Sequence, residues 1–252
     1  MSGMAILLAA GEGKRMKSDL PKVLHEAAGE PLLAHVGRAA RESGLERVVV
    51  VVGRGADRVR ELFANRGWEF VEQPERLGTG DAVKRARAQI DGFTGDVVVL
   101  AGDAPLLRGA TLTTLRQRHH QAGAAATVLT AHLSNPTGYG RIVRNADGTF
   151  VGIVEEKDAT EEQRRITEVN SSIYCFDARE LGPSLDALTN DNAQGEYYLT
   201  DAIGILRRRG KIVQAVLAAS PEEILGVNTP DQLREVEDAL ARRRSEESAR
   251  RS

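Results

Sequence analysis

A glycine-containing loop near the N-terminus carries the residue types that bind phosphate groups. The segment from Leu8 to Lys22 reads LAAGEGKRMKSDLPK, and an apolar strand pattern over residues 4–9 runs directly into it. A strand that leads into a glycine loop is how α/β proteins bring backbone N–H groups to phosphates. Two cations, Arg15 and Lys22, accompany the glycines. This combination predicts binding of a triphosphate, whose charge must be neutralised while one bond breaks.

Two common phosphate-binding motifs do not fit this loop. A P-loop requires Gly-Lys followed by Ser or Thr, and here Arg15 follows Gly13 and Lys14. The dinucleotide fingerprint requires a third glycine, and Met16 stands in its place. Arg15 and Lys22 could be ordinary surface cations, but their position at a glycine loop after a strand favours contact with phosphate.

Two oxygen-bearing side chains are candidate metal ligands. Asp103 ends the apolar segment VVVLAGD. Burying a carboxylate there costs free energy unless a cation lies beside it. A hard oxygen ligand of this kind suits Mg²⁺. The alternative is an aspartate that caps a turn or a helix. Asn228, in the segment GVNTP, could supply a second oxygen or could simply end a loop before a helix that has Pro230 in its first turn.

Gln73 and the glycines after it are candidates for binding a base. Gln73 follows a strand pattern over residues 68–72 and precedes a proline. Its primary amide matches the adjacent O4 and N3–H of uracil, although on chemistry alone this is one option among many. Gly78-Thr79-Gly80 then opens a helical pattern, which offers free N–H groups to a base, ribose or phosphate.

Composition and charge exclude several classes of protein. The chain has 252 residues, 41% of them hydrophobic, and a formal net charge of −2, so no global basic field attracts nucleic acid. Cys175, its single cysteine, excludes an internal disulfide and lies in an apolar run typical of a buried strand rather than a nucleophile. The sequence shows neither a signal-peptide pattern nor 18 consecutive apolar residues, so we expect a soluble, cytoplasmic protein without a membrane partner.

The first half of the chain alternates strand and helix patterns. Strand patterns occupy residues 4–9, 47–52, 68–72 and 96–101, and helical patterns lie between them at roughly 31–43, 56–65 and 80–90. This order predicts an α/β fold with a doubly wound, mostly parallel sheet. Ligands of such sheets bind at the carboxyl ends of the strands, where Gly11, Gln73 and Asp103 fall.

The second half reads as a β-rich substrate-binding part that shares the sheet. Strand patterns cover 140–144, 149–155, 168–176 and 212–217, with a hairpin turn at 145–148, and helical patterns cover about 178–188 and 199–209. The pair His119-His120 lies on a helical pattern and is interpreted as part of a solvated face rather than a metal pair. We expect one domain over residues 1–230 and a charged C-terminal helix or tail over 231–252.

Taken in order, the motifs resemble those of the bacterial N-acetylglucosamine-1-phosphate uridyltransferase family, in its uridylyltransferase part. The resemblance extends from Leu8 to about Gln232. Nine separate segments carry it: LAAGEGKRM, DLPKVLH, EQPERLGTG, AGDAPLL, NPTGYGRIV, GIVEEKDAT, EVNSS, NAQGEYYLTD and GVN. The resemblance implies a Rossmann-like nucleotidyltransferase fold.

The resemblance also implies roles for the matching residues. The phosphates would be bound by Arg15 and Lys22, and Mg²⁺ would be held by Asp103 and Asn228. The nucleotide would lie along Leu8, Ala9, Ala10 and Gly11, with the uracil held by Gln73, Gly78 and Thr79. The sugar hydroxyls and N-acetyl group would be held by Gly140, Glu155 and Asn170. Ser172 stands where the family usually has glycine, which predicts a tighter sugar pocket.

The implied reaction joins UTP and N-acetylglucosamine-1-phosphate into UDP-N-acetylglucosamine and pyrophosphate. The partners would be these small molecules, with the oligomeric state left open. A nucleotidyltransferase for another base or sugar phosphate is the nearest alternative, and a non-catalytic nucleotide-sugar sensor is another. Bifunctional relatives continue into a β-helix of hexapeptide repeats that acetylates glucosamine-1-phosphate. No such repeat occurs in residues 1–252, so we expect no acetyl transfer by this chain.

Overall fold

The computed structural model describes residues 2–251. The strands of the first half are β1 Gly3–Ala9, β2 Glu26–Ala27, β3 Glu30–Pro31, β4 Arg47–Val52, β5 Glu69–Glu72 and β6 Asp96–Ala101. The helices among them are α1 Leu32–Glu42, α2 Ala56–Leu62, α3 Thr79–Arg85, α4 Arg87–Ile90 and α5 Gly109–Gln121. Short 3₁₀ turns at Lys14–Met16 and Lys22–Leu24 give the glycine loop a defined path.

The second half adds strands and helices to the same body. Its strands are β7 Ala126–His132, β8 Arg141–Arg144, β9 Phe150–Val154, β10 Glu168–Asp177 and β11 Val213–Leu217. Its helices are α6 Glu161–Arg164, α7 Ala178–Asp186, α8 Leu199–Arg208 and α9 Pro230–Arg251.

One mixed sheet runs through both halves in the order β11-β7-β10-β6-β1-β4-β5. β5, β4, β1 and β6 are mutually parallel, which confirms the doubly wound arrangement. β10 is antiparallel to both β6 and β7, and it also pairs with β8 of the β8–β9 hairpin. The second half of the chain is therefore joined to the first half through one long strand, β10.

Two apolar layers cover the two faces of the sheet. Alternate residues of the central strands enter opposite layers: Ala5 and Leu7 pack on one side, and Met4 and Ile6 on the other. This alternation explains why the valine run of β4 is buried on both faces. The double burial makes the central strands a rigid base for the loops that follow them.

The observed elements refine the sequence-based predictions. β4 and β6 have the predicted bounds, whereas the single helix expected over 80–90 is wrong because the chain leaves helical geometry at Ala86, where ψ is 15°. β7 was not predicted; its alanine-rich segment is a short apolar run that periodicity cannot assign.

Cys175 is a buried residue of β10, as predicted, and burial raises the pKa of its thiol well above the usual range.

The interpretation of His119-His120 as a solvated face is wrong for His119. This side chain is 3% exposed, and its Nδ1 lies 2.9 Å from Oγ1 of Thr127 on β7. The helical pattern was correct, but α5 packs on β7 through the face that carries His119. His120 is partly exposed, with Nε2 2.9 Å from Oδ2 of Asp96.

The C-terminal helix packs on the glycine loop. Val236 and Ala239 of α9 are buried in a third apolar cluster with Met16, Leu32 and Leu106. Met16 ends the turn that follows the loop glycines, so its contact with α9 stabilises the position of the glycine loop. Among residues 2–251, no helix is both long and apolar enough to cross a membrane.

Candidate functional site

The glycine loop, Gln73 and Asp103 meet at one edge of the sheet, as the sequence predicts. Leu8 of β1 pairs with Val51 of β4 and Ala101 of β6, so the carboxyl ends of these parallel strands stop level with one another. The loops that follow enclose a cavity of about 300 Å³. We call it the nucleotide cavity; its lining includes Leu8, Ala10, Gly11, Lys22, Gln73, Gly78, Thr79 and Asp103.

A second cavity of about 230 Å³ adjoins the nucleotide cavity. We call it the sugar cavity; its lining includes Arg15, Asp103, Gly140, Glu155, Asn170 and Asn228. Ala101, Asp103 and Ser172 line both cavities. Two ligands bound in the two cavities would therefore meet beside the Asp103 carboxylate.

Two of the candidate residues have positions that the motifs alone did not indicate. Ala9 is 6% exposed and packs in the apolar core, and it is absent from the described residues that line either cavity. Arg15 lines the sugar cavity rather than the nucleotide cavity. Its side chain is exposed, and no carboxylate in the described part of the chain pairs with it. The guanidinium is thus available to an anionic group in the sugar cavity.

Lys22, Asp103 and Asn228 form one cluster between the two cavities. The Lys22 ammonium donates hydrogen bonds to Oδ2 of Asp103 and, over 3.0 Å, to Oδ1 of Asn228. The Lys22 and Asp103 side chains are only 13% and 17% exposed. The two candidate metal ligands therefore converge on a single cation, which shows that the pair of oxygens can accommodate positive charge at this point.

The backbone fixes Asn228 close to Asp103. The N–H of Val227 donates to the carbonyl oxygen of Asp103 over 2.9 Å. A Cβ atom on Gly226 would lie 3.3 Å from Oδ2 of Asp103, so a larger residue would crowd the carboxylate. The segment GVN and the segment AGD, more than a hundred residues apart in sequence, are thus held as one unit.

The Gln73 amide is already oriented by the protein. Nε2 donates to the carbonyl oxygen of Gly78 over 3.1 Å and to Oδ2 of Asp81 over 2.8 Å. Gln73 is 4% exposed. Because both hydrogen bonds use the amide nitrogen, Oε1 is the atom left to accept an N–H group from a base.

The segment Gly195–Asp201 braces the loop that carries Gly78. Gly78 has φ of +105°, and a Cβ atom there would lie 2.5 Å from the carbonyl oxygen of Tyr197. Gly80 N–H donates to the same oxygen over 2.7 Å, and Leu199 N–H donates to Oγ1 of Thr79 over 3.1 Å. Glycine is required at position 78 because the backbone has both a positive φ and a close neighbour.

One wall of the sugar cavity is a network of neutral polar groups around the half-buried Glu155 carboxylate. Oε1 of Glu155 accepts a hydrogen bond from Oγ1 of Thr200 over 3.0 Å, and burial raises the pKa of Glu155 above its ordinary value. Asn170 donates through Nδ2 to the Tyr174 hydroxyl over 2.7 Å, and its N–H donates to the carbonyl oxygen of Gly140 over 2.8 Å. Such a wall suits hydroxyl and amide groups better than phosphate.

Ser172 adopts a backbone conformation that favours glycine. Its φ is +60°, and the register of β10 against β7 shifts between Asn170 and Tyr174. Ser172 N–H donates to Oδ1 of Asn170 over 3.0 Å. Both residues line the sugar cavity, and the positive φ of Ser172 would suit the glycine that the resemblance implies at this position. The tighter sugar pocket stays a prediction.

Arg76 is a residue at the site that the sequence reasoning missed. It lines the nucleotide cavity, and its Nη2 lies 2.5 Å from Oε1 of Glu12 in the glycine loop. Lys14 and Arg76 together lower the pKa of Glu12, with the Lys14 contact the larger cause. A cation in the segment EQPERLGTG was the available signal. The Glu12–Arg76 pair links the glycine loop to the loop that follows Gln73.

Comparisons with known proteins agree with this geometry. The family model of the MobA-like NTP transferase domain matches residues 5–201. A solved structure titled as UDP-glucose pyrophosphorylase complexed with UDP-glucose has the same fold, with a TM-score of 0.78, 17% identity, and coverage of 96% of this chain and 100% of that one.

Curated relatives of high similarity are named "Bifunctional protein GlmU". The one from Heliobacterium modesticaldum is 50% identical over 236 residues, which cover 94% of this chain and 51% of the relative. The one from Geobacter metallireducens is 52% identical over 234 residues, covering 92% and 49%. This chain thus spans about half the length of these relatives. They confirm the resemblance found in the sequence, and the chain belongs to the MobA-like NTP transferase domain family of nucleotidyltransferases.

Proposed function

We propose that this chain transfers UMP from UTP to N-acetylglucosamine-1-phosphate, giving UDP-N-acetylglucosamine and pyrophosphate. The observation that carries the proposal is the pair of cavities that share Asp103, with Lys22 at their junction. One cavity has the glycine loop and the Gln73 amide, and the other has a hydroxyl-binding wall. The similarity of this chain to about half the length of GlmU proteins supports the same assignment.

The reaction needs positioning and charge neutralisation rather than a general base. An oxygen of the sugar phosphate attacks the α-phosphorus of UTP, and the bond to the departing pyrophosphate breaks. A phosphate monoester has a second pKa of about 6, so the attacking group is mostly dianionic at neutral pH. Arg15 in the sugar cavity would bind the sugar phosphate, and Lys22 would bind the nucleotide phosphates. Holding both anions in line lowers the barrier.

A divalent metal fits the cluster at the junction, and we propose Mg²⁺. Asp103 and Asn228 would hold it, because their oxygens already converge on the Lys22 ammonium and hard oxygens are the ligands that Mg²⁺ prefers. The ion would supply positive charge to the phosphate oxygens when bound. Lys22 would then be released from Asp103 and Asn228 and could contact phosphate itself.

The test is a substrate panel with purified chain. Four nucleoside triphosphates are combined with N-acetylglucosamine-1-phosphate, glucosamine-1-phosphate and glucose-1-phosphate, and pyrophosphate release is measured with MgCl₂ and with a chelator. We expect release to be fastest with UTP and N-acetylglucosamine-1-phosphate and to stop with chelator. Faster release with another pair would assign a different nucleotidyltransferase activity, and no release with any pair would favour a sensor.

A further inference from the structure

A second cluster of metal-binding side chains lies at the opposite end of β6 from Asp103. Asp96 begins β6, His119 projects from α5, and Cys175 lies on β10. One ligand atom from each lies within 4.8 Å of the others. Since β6 rises by about 3.3 Å per residue, its two ends are about 17 Å apart. The cluster is therefore separate from the candidate catalytic site.

The three side chains have the chemistry that zinc selects. Carboxylate, imidazole and thiolate are its usual protein ligands, and three of them with one open position make a tetrahedral site. All three residues are buried, with 2%, 3% and 0% exposure. Because they come from three different elements, tertiary packing alone brings them together.

A further hydrogen bond orients His119. Its Nδ1 lies 2.9 Å from Oγ1 of Thr127, which also accepts a hydrogen bond from Nε2 of Gln214 over 3.1 Å. With Nδ1 engaged in this way, Nε2 is the ring nitrogen available to a metal. A hydrogen bond to the ring nitrogen that does not bind the metal fixes the tautomer and ring orientation of metal-binding histidines.

The Asp96 carboxylate is held in place but retains coordinating capacity. Nε of Arg116 and Nε2 of His120 each lie 2.9 Å from its Oδ2. Both of these contacts fall on one oxygen, so Oδ1 can turn to a metal while Oδ2 keeps its partners. Arg116 is a fixed cation beside the cluster. Asp177, opposite Asp96 in the β10–β6 register, pairs with Arg179 over 2.6 Å.

A cavity gives the cluster an entry path. Its volume is about 380 Å³, and its wall includes Asp96, His119, His120 and Asp177. A water molecule from this cavity could complete the tetrahedron. We propose that Asp96, His119 and Cys175 bind one divalent transition metal ion, with Zn²⁺ the preferred ion, and so fasten α5, β6 and β10 together. Binding displaces the Cys175 thiol proton to solvent and forms a metal–sulfur bond.

Cobalt substitution tests the proposal without using enzyme activity. The full chain is treated with chelator, dialysed and titrated with Co²⁺ in excess Mg²⁺. Since Cys175 is the only cysteine, a sulfur-to-cobalt charge-transfer band in the near ultraviolet reports on this cluster alone. We expect one equivalent of Co²⁺ to produce that band with tetrahedral d–d bands, and Zn²⁺ to bleach them. Absence of the sulfur band at Co²⁺ saturation would overturn the proposal.

Two variants test proposed ligands, and a third is the control. Cys175→Ala should lose the charge-transfer band, and His119→Gln should weaken Co²⁺ binding by about tenfold or more. His132→Asn replaces an exposed histidine of β7 outside the cluster and should bind Co²⁺ like the parent chain. Unchanged Co²⁺ affinity in His119→Gln would remove His119 from the site.

X-ray absorption on the zinc-loaded parent chain provides a check that requires no variant. We expect one sulfur neighbour at about 2.3 Å together with nitrogen or oxygen neighbours at about 2.0–2.1 Å. A coordination shell without sulfur would contradict the proposal even if the variants fail to fold. Zn²⁺ should also raise the Tm of the parent chain through its binding to the folded state.

Discussion

The nucleotide cavity and the sugar cavity meet at Asp103 but are built in different ways. The first is formed by loops after neighbouring parallel strands, and its polar groups include backbone amides, the cations Lys22 and Arg76, and the Gln73 amide. The second draws on the antiparallel β8–β10 region, α8 and the GVN segment, around the half-buried Glu155 carboxylate. Under the proposed function, the first cavity would neutralise the nucleotide phosphates, and the second would recognise hydroxyl and amide groups of the sugar. Substitutions on the two sides should therefore affect different kinetic parameters.

Lys22→Ala should have the largest effect, because Lys22 lies at the junction of the two cavities. Loss of one preorganised cationic contact should lower kcat by about a hundredfold or more, as measured by pyrophosphate release. The variant should also lose stability, since the partly buried Asp103 carboxylate would lose its cation. Lys84→Ala, on the exposed face of α3, is the matched control. A kcat near that of the control would remove Lys22 from the mechanism.

Gln73→Ala should act on the nucleotide side alone. Its amide oxygen would no longer accept the N3–H of uracil, which cytosine lacks, so the preference for UTP over CTP should fall by roughly tenfold or more. The ratio of kcat/KM for the two nucleotides measures the change, and KM for the sugar phosphate should stay the same. Gln121→Ala at the exposed end of α5 serves as the control. An unchanged ratio would move base recognition to the backbone near Gly78.

Glu155→Gln should act on the sugar side alone. Removing the charged acceptor should raise KM for the sugar phosphate by about tenfold, which is about 1.4 kcal/mol of binding, with little change in KM for UTP. If KM for UTP rises equally, the two cavities are not functionally distinct.

Glu155→Gln should also change how the stability of the folded chain depends on pH. Burial raises the pKa of Glu155 in the folded state, so the proton binds more tightly to the folded than to the unfolded chain. Protonation of Glu155 stabilises the folded state fully below the ordinary pKa of 4.5. This stabilisation is lost as pH rises through the raised pKa of the folded state. Glu155→Gln should therefore have a higher Tm than the parent chain at pH 7. The difference in Tm between the variant and the parent chain should narrow as pH falls toward 4.5. A difference in Tm that stays constant with pH would contradict the view that burial of the Glu155 carboxylate causes it.

Ser172→Gly should produce the smallest effect, at the boundary of the two cavities. Relief of the positive φ should outweigh the added freedom of the unfolded chain by at most about 1 kcal/mol, so Tm should rise slightly. Ser171→Gly is the matched control and should lower Tm, because Ser171 is buried and donates to the carbonyl oxygen of Leu129 over 2.6 Å. A lower Tm for Ser172→Gly would show that its side chain matters more than its backbone conformation.

The sequence by itself determined the parallel half of the fold and the group of candidate residues at one sheet edge. Apolar runs of five or six residues separated by helical patterns specify parallel strands buried on both faces, and the carboxyl ends of such strands must lie together. For that reason Gly11, Gln73 and Asp103 could be brought to one edge without coordinates. The motif resemblance strengthened Asn228 as a candidate metal ligand and added the sugar-binding candidates.

Tertiary structure alone decided which side chains meet. Sequence reasoning assigned Lys22 to phosphate and Asp103 to metal, but packing of the GVN segment beside β6 brings Lys22, Asp103 and Asn228 into one cluster. His119 could be placed on a helix but not on its buried face, because which face of α5 is covered depends on the position of β7. Such contacts join residues far apart in the chain, and periodicity reports only on neighbours three or four residues away.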